Sequence, residues 1–231
     1  MKVLTPITML NRCALLLAVT MFSATVSAQG SPEKLIGVLV FNDVLTSDVV
    51  APLEVFGNAS KRKDGLQGYR VVTIAPNEGV ITTEEGVRIL PDFTIANVPP
   101  LDTLIVGSAY DMKPLLNNEK LIQFVKHQGR QVSWLASNCS GAYILAKAGL
   151  LEGKRATTYP GGEIMLKARH PFTKVVSDTY VVMDENLITS NGGLVSYAAA
   201  FELLKKMSNT TIASQVAGDL YYDRLLQAGS Q

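Results

Sequence analysis

The segment 131–151, QVSWLASNCSGAYILAKAGLL, limits the folds open to this chain more than any other part of it. A short apolar run from Val132 to Ala136 suits a buried strand, and apolar residues recur at helical spacing from Ser140 onward, with Asn138, Cys139, Ser140 and Gly141 between the two. Such a sharp turn from strand to helix lifts Cys139 out of the sheet and aims the free N–H groups of the helix start at a ligand. Gly141 supplies a small residue where the two elements crowd. The pattern predicts a nucleophile elbow.

Cys139 has two interpretations at this turn. A cysteine beside the positive end of a helix gains thiolate character, against a free pKa of about 8.5, and becomes an activated nucleophile. A lone cysteine considered without its surroundings is more often a buried structural thiol. The strand–Cys–x–Gly–helix context favours the activated nucleophile.

Residues 1–28 have the pattern of a secretory signal peptide rather than of a folded segment. Lys2 and Arg12 precede an apolar run that is short for a membrane span, and small residues end at Ala28. We expect cleavage after Ala28 and a periplasmic or secreted protein without a stable membrane anchor. An uncleaved signal anchor is the competing interpretation.

The remaining residues, 29–231, are expected to form one compact domain. Loss of two basic residues and no acidic one changes the net charge from +1 to −1, so the composition does not indicate a nucleic-acid partner. Cys139 is the one cysteine left, which excludes an internal disulfide. His127 and His170 are solitary, no His/Cys cluster has zinc-ligand spacing, and we expect neither a metal nor a cofactor.

Strand-like and helix-like segments alternate along the whole chain. This order is typical of an α/β sandwich with a mostly parallel sheet and helices on both faces. We expect buried strands at 35–41, 69–75 and 101–106, a hairpin within 80–90, helices at 47–60 and 195–207, and a last helix at 212–226.

Two candidate groups follow predicted strands, at the edge of the sheet where ligands bind in open α/β folds. Asp48 is either a carboxylate that the dipole of its helix favours or a catalytic carboxylate. The residues alone give no preference between these two interpretations. The turn Gly107-Ser108-Ala109 follows the strand at 101–106. Backbone N–H groups of Ser108 and Ala109 are weak candidates for an oxyanion hole.

Over nearly its whole length beyond residue 28, the chain resembles the ThiJ/PfpI superfamily of class I glutamine amidotransferase-like proteins. The resemblance implies a flavodoxin-like fold. The pattern is most similar to isonitrile hydratases and to the ligand-sensing domains of AraC-type regulators. The matching segments are FNDVLTSDVVAPLEVFG, LDTLIVGSAYD, SNCSGAYILAKAGLLEGKRATTYPGGE and ITSNGGLVSYAAAFELL.

The resemblance also implies site residues. Cys139 matches the elbow cysteine, and Asp48 matches a carboxyl that family members hold against its sulfur, where it tunes the thiol and can pass a proton. Ser140 matches the hydroxyl residue that the hydratases use in catalysis. Its N–H, with that of Ser108 or Ala109, would complete an anion hole. A homodimer is the assembly implied.

Two positions depart from the family pattern. Tyr159 stands where members that act on glyoxals carry a histidine, and neither His127 nor His170 matches that place. Glyoxalase, deglycase and protease chemistry are therefore in doubt. Tyr159 either hydrogen-bonds substrate or fills space. The Gly107-Ser108-Ala109 turn replaces a proline-glycine-glycine sequence that relatives often have, which puts the oxyanion site in doubt.

Two functions fit these residues. The first is an exported hydratase or hydrolase of a small electrophilic molecule, with Cys139 as nucleophile, Asp48 as proton shuttle and Ser140 holding the substrate. The second is a non-enzymatic ligand-binding or redox-sensing module that uses the same cysteine. A DNA-binding regulator is disfavoured because an exported chain has no access to DNA.

Overall fold

The computed structural model describes residues 34–62 and 68–228, which form an α/β unit around one large sheet. The strands are β1 (Lys34–Leu39), β2 (Tyr69–Ala75), β3 (Ile81–Thr82), β4 (Arg88–Ile89), β5 (Phe93–Thr94), β6 (Thr103–Val106), β7 (Trp134–Asn138), β8 (Arg155–Ala156), β9 (Lys174–Val175), β10 (Val181–Asp184) and β11 (Leu187–Ser190). The helices are α1 (Thr46–Lys61), α2 (Lys113–Leu116), α3 (Glu119–Gly129), α4 (Gly141–Lys147), α5 (Gly162–Arg169), α6 (Val195–Met207), α7 (Thr210–Asp219) and α8 (Tyr222–Ala228).

The large sheet has seven strands in the order β10-β11-β7-β6-β1-β2-β5. Its pairings are parallel except that of β10 with β11. Leu39 of β1 pairs with Val106 of β6, and Val106 pairs with Ser137 of β7. Because parallel strands end at the same edge, the turns after β6 and β7 and the loop after β1 meet there. The predicted α/β class with a mostly parallel sheet is confirmed.

The core lies on both faces of the sheet. Ile36, Val38 and Leu39 of β1 are fully buried, as a strand covered on both sides requires. Helix α1 packs against α6, while α3 packs against α4. These two helical layers exclude water from the strands and expose only the sheet edge to a ligand.

The structure corrects two of the expected elements. The last helix is divided into α7 and α8 at Leu220 and Tyr221, because Tyr221 has a φ of +56°, which no continuous α-helix accommodates. Helix α1 has Leu45 at its N-cap and no capping side chain of its own. Instead, the Thr46 N–H and hydroxyl donate to Oε2 of Glu85 in the β3–β4 hairpin, at 2.9 and 2.5 Å.

The predicted signal peptide, residues 1–28, lies outside the described residues. Within 34–62 and 68–228, no helix combines the length and apolar character needed to cross a membrane.

Candidate active site

The turn between β7 and α4 places Cys139 at the sheet edge. Cys139 has a φ of +48°, a strained value for a residue with a side chain, which costs of the order of 1–3 kcal/mol. Hydrogen bonds hold it there: its N–H donates to the Ser190 carbonyl at 2.9 Å, and the Thr158 hydroxyl donates to its carbonyl at 2.7 Å. The predicted strand–turn–helix geometry is confirmed.

Two glycines make room for this turn. A Cβ on Gly141 would lie 2.6 Å from the Val106 carbonyl oxygen, so the helix start can approach β6 only without a side chain. A Cβ on Gly192, which has a φ of +77°, would lie 2.3 Å from the Cys139 Cβ. Sequence reasoning anticipated Gly141 but gave Gly192 no role, although the paired glycines after β11 were a visible signal.

Asp48 is fully buried beside this turn and accepts four hydrogen bonds. Its Oδ2 accepts from the N–H and hydroxyl of Ser108, at 3.0 and 2.5 Å. Its Oδ1 accepts from the Gly193 N–H at 3.2 Å and from the Ser196 hydroxyl at 2.7 Å. Gly193 and Ser196 were missed by sequence reasoning because their distance in the chain from Asp48 conceals the contact.

The surroundings of Asp48 accommodate both of its protonation states. Burial raises the pKa of this carboxyl, and its four hydrogen-bond donors oppose that effect without cancelling it. Two of the donors are N–H groups, which can only donate, whereas the Ser108 and Ser196 hydroxyls can also accept. A protonated Asp48 can therefore donate to either hydroxyl.

The thiol of Cys139 differs from the sequence expectation. Burial and, to a lesser extent, the charge of Asp48 raise its pKa, outweighing the opposing effects of the Ser108 side chain and of the Ser140 N–H and hydroxyl. The surroundings of the thiol therefore oppose the gain of thiolate character that is expected at the helix start. The half-buried position and a neighbouring carboxyl prevail over a seven-residue helix.

Ser108 links the two groups. Its hydroxyl donates to Asp48 Oδ2 at 2.5 Å, and its side chain also acts to lower the pKa of the Cys139 thiol. A hydroxyl carries one proton, so it can donate to only one of them at a time. When Asp48 is protonated and donates to this hydroxyl, the Ser108 proton can turn to a Cys139 thiolate. The arrangement couples the charge of Cys139 to that of Asp48.

The expected oxyanion donors are only partly present. The Ser108 N–H already donates to Asp48, so the expectation that it would receive an oxyanion is wrong for this conformation. The Ala109 N–H donates to the Met112 sulfur at 3.4 Å, a weak acceptor on a flexible side chain. Ala109 is therefore the expected donor that a ligand oxygen can recruit.

Gly107 and Ser140 have packing roles at this edge. A Cβ on Gly107 would lie 2.9 Å from Val44 Cγ2, so the glycine permits the close approach of the loop after β1. The Ser140 side chain is buried, and its hydroxyl donates to the Ala109 carbonyl at 2.8 Å. Ser140 thereby fixes the turn after β6 against the elbow.

An open cleft of about 630 Å³ leads to Cys139. Tyr159 lies in its wall with 38% of its surface exposed, and its ring centroid is 6.3 Å from that of Tyr143. Burial raises the pKa of Tyr143, whose hydroxyl donates to the Gly162 carbonyl at 2.7 Å. The cleft is lined by Ala109, Tyr110, Met112, Leu116, Cys139, Ser140, Tyr143, Tyr159, Gly161, Met165 and Arg169.

The two histidines lie away from Cys139. His127 is exposed on α3, and His170 follows α5 and lines a neighbouring cleft. Among the described residues, no group of three or more His, Cys, Asp or Glu side chains is placed to hold a metal ion. A Cys–His pair is therefore not available in the described part of the site, and the ionisable neighbour of the cysteine is Asp48.

Comparisons with known proteins agree with this geometry. The chain is 29% identical to an isonitrile hydratase of Pseudomonas putida over 187 residues, covering 81% of this chain and 78% of that protein. It is 24% identical to the HTH-type transcriptional regulator GbdR of Pseudomonas aeruginosa over 207 residues, covering 89% of this chain and 55% of the regulator. A solved ThiJ/PfpI family protein from Pseudomonas syringae shares the fold, with a TM-score of 0.73, 24% identity and coverage of 83% of this chain and 76% of that one. The model of the DJ-1/PfpI family matches residues 34–206, and the chain belongs to that family.

Proposed function

We propose that the protein is a cysteine-dependent hydratase of a small electrophilic molecule, with an isonitrile as the leading substrate class. The observation that carries this proposal is the placement of Cys139 on the elbow in the wall of a cleft of about 630 Å³, with the buried Asp48 and its partner Ser108 beside it. The similarity to isonitrile hydratase supports the substrate class. Pockets of about 300–1,000 Å³ are typical of small-molecule sites.

The first step forms a covalent adduct. The Cys139 proton passes to the Ser108 hydroxyl as Ser108 passes its own proton to Asp48, which leaves a thiolate facing the cleft. The thiolate adds to the terminal isonitrile carbon and forms an S–C bond. The same path returns the proton to that carbon, giving a thioimidate, R–N=CH–S–Cys139. The raised pKa of Asp48 makes it a stronger base than an exposed carboxylate, which suits it to accept and return a proton.

The second step releases the product. Water adds to the thioimidate carbon and gives up one proton to Asp48 through Ser108. The C–S bond then breaks, the thiolate leaves and recovers this proton, and the second water proton ends on nitrogen. The product is an N-substituted formamide, so one isonitrile and one water are consumed. The Ala109 N–H, released by Met112, stabilises the oxygen of the tetrahedral intermediate.

Ligand binding without turnover is the second candidate, favoured by the similarity to a transcriptional regulator over 89% of this chain. In this function the same cleft holds a small molecule and Cys139 forms at most a reversible adduct. Redox sensing is less favoured, because the raised pKa of Cys139 reduces the thiolate fraction on which oxidation depends.

Formation of the formamide from an aryl isonitrile, followed by liquid chromatography, tests the proposal. Cys139→Ser should lose turnover by at least about a thousandfold, since the nucleophile is removed. Asp48→Asn should also be strongly impaired, and Asp223→Asn, at a half-buried position of α8 that does not line the cleft, serves as its matched control. Full activity in Cys139→Ser would exclude the mechanism. Saturable binding without product would favour the second candidate.

A further inference from the structure

The cleft at Cys139 has a one-sided charge. Of the described residues that line it, Arg169 is the one ionised group and none is acidic. The adjoining cleft, of about 560 Å³, shares Met112, Leu116, Tyr143 and Arg169 with it. That neighbour adds Lys113, Lys147 and His170 to the lining, again without an acidic residue among the described ones.

Within the part of the chain that the structure describes, these basic groups have no acidic partner. Among the described residues, no carboxylate forms an ion pair with Arg169, Lys147 or Lys113. The pKa of His170 is lowered, first by burial and then by the charges of Arg169 and Lys147. This imidazole is therefore uncharged at neutral pH. Both cations act on the same region. A positive potential therefore extends from the outer cleft to Arg169, at the wall of the inner one.

Nearby acids are directed elsewhere. The Glu163 carboxylate accepts a hydrogen bond from the Gly161 N–H at 2.6 Å. The Asp111 carboxylate accepts from the Lys113 N–H at 2.9 Å and lines a different pocket. Neither carboxylate lines the two joined clefts, although the charge of Glu163 acts on Tyr143 in their shared wall.

The rest of the wall is suited to an apolar body. Met112, Leu116 and Met165 line the cleft with the two tyrosine rings, and methionine side chains adapt to the shape of a ligand. The polar Cys139 and the cationic Arg169 are thus separate features of one largely apolar wall. A ligand that satisfies all of them has an electrophilic carbon, an apolar body and an acidic group.

We propose that the substrate of the Cys139 cleft is a small organic anion, an electrophile whose carboxylate or phosphate is bound by Arg169 with Lys147 behind it. This inference rests on the proposed function, because it assigns the substrate class of the same site. Arg169 selects for charge here, and the nucleophile remains Cys139. A carboxylate and a phosphate each offer a pair of oxygen atoms, to which a guanidinium can donate two parallel hydrogen bonds.

Alkylation by two matched reagents tests the inference without requiring turnover. Iodoacetate is anionic and iodoacetamide is its neutral counterpart, and both attack the same thiolate. The ratio of their rates at Cys139 in the full chain is therefore independent of the thiolate fraction. Peptide mass spectrometry measures the two rates at Cys139 separately from any reaction at Cys13. Arg169→Gln and Lys147→Gln are compared with Arg130→Gln, an exposed arginine that follows α3 at the opposite edge of the sheet.

The expected result is that Arg169→Gln lowers the iodoacetate-to-iodoacetamide ratio by about two- to fivefold, that Lys147→Gln lowers it less, and that Arg130→Gln leaves it unchanged. Added salt should lower the wild-type ratio toward the Arg169→Gln value. Equal ratios in Arg169→Gln and Arg130→Gln would overturn the anionic substrate while leaving the nucleophile in place. A wild-type Cys139 unreactive to both reagents at every pH would instead overturn the proposed function.

Discussion

The chemistry of the site depends on which group receives the proton of the Ser108 hydroxyl. This hydroxyl donates to Asp48 Oδ2 at 2.5 Å, and its side chain acts on the pKa of the Cys139 thiol. Removing the charge on Asp48 favours the thiolate in two ways, because it removes a repulsion and frees the hydroxyl proton to turn toward sulfur. The raised pKa of Cys139 comes first from burial and then from the charge of Asp48, so a ligand that protonates Asp48 would activate the thiol.

The pH dependence of Cys139 alkylation by iodoacetamide measures this coupling. We expect the rate to rise with pH to a midpoint above that of a free thiol, about 8.5, because burial and Asp48 disfavour the thiolate. Asp48→Asn should lower the midpoint and speed alkylation at pH 7. Asp223→Asn should leave both unchanged. A wild-type midpoint at or below that of a free thiol, or one unmoved by Asp48→Asn, would contradict the coupling.

At the level of helices and strands, the position of Cys139 depends on how closely α4 approaches β6. Gly141 is the first residue of α4, and a Cβ there would lie 2.6 and 2.7 Å from the carbonyl oxygens of Val106 and Gly107. These are backbone atoms of the sheet edge, so they cannot move aside as a flexible side chain would. The close approach sets where the sulfur meets Ser108.

Gly141→Ala should therefore destabilise the protein by about 1–3 kcal/mol, the usual cost of overpacking, and should change the alkylation rate of Cys139. Gly57→Ala is the matched control, because Gly57 lies within α1 with no atom within 4 Å of an added Cβ. That replacement should stabilise the protein by about 0.5–1 kcal/mol through the lower helix propensity of glycine. Urea denaturation measures both. A Gly141→Ala protein as stable as the wild type would contradict the crowded elbow.

For the whole molecule, export and dimerisation stay predictions. When the full chain is expressed in a Gram-negative host, we expect periplasmic protein that begins at Gln29, which intact mass and N-terminal sequencing would detect. Light scattering of that protein should give twice the mass of one chain. Retention of residues 1–28 would favour an uncleaved anchor, and a monomer at micromolar concentration would contradict the implied homodimer.

Local patterns in the chain were sufficient to predict the sheet, the elbow and its cysteine. Strand β2 and helix α6 have the predicted bounds, because a continuous apolar run and a 3.6-residue period are properties of neighbouring residues. The turn at Cys139 was predictable for the same reason, since a strand, a small residue and a helix follow one another within ten residues. Asp48 was a candidate from its place after β1, and the family resemblance then assigned it a role beside the cysteine.

Tertiary structure alone decided the charge state and the partners of that site. Gly193 and Ser196 reach Asp48 from 145 and 148 residues away, and Ser108 from 60, so no local pattern relates them. Burial of the thiol reversed the pKa shift expected from the helix start, because the cost of desolvating a charge depends on everything packed around it. The basic wall of the cleft likewise arises where α2, α4 and α5 converge, a relation that exists only in the folded protein.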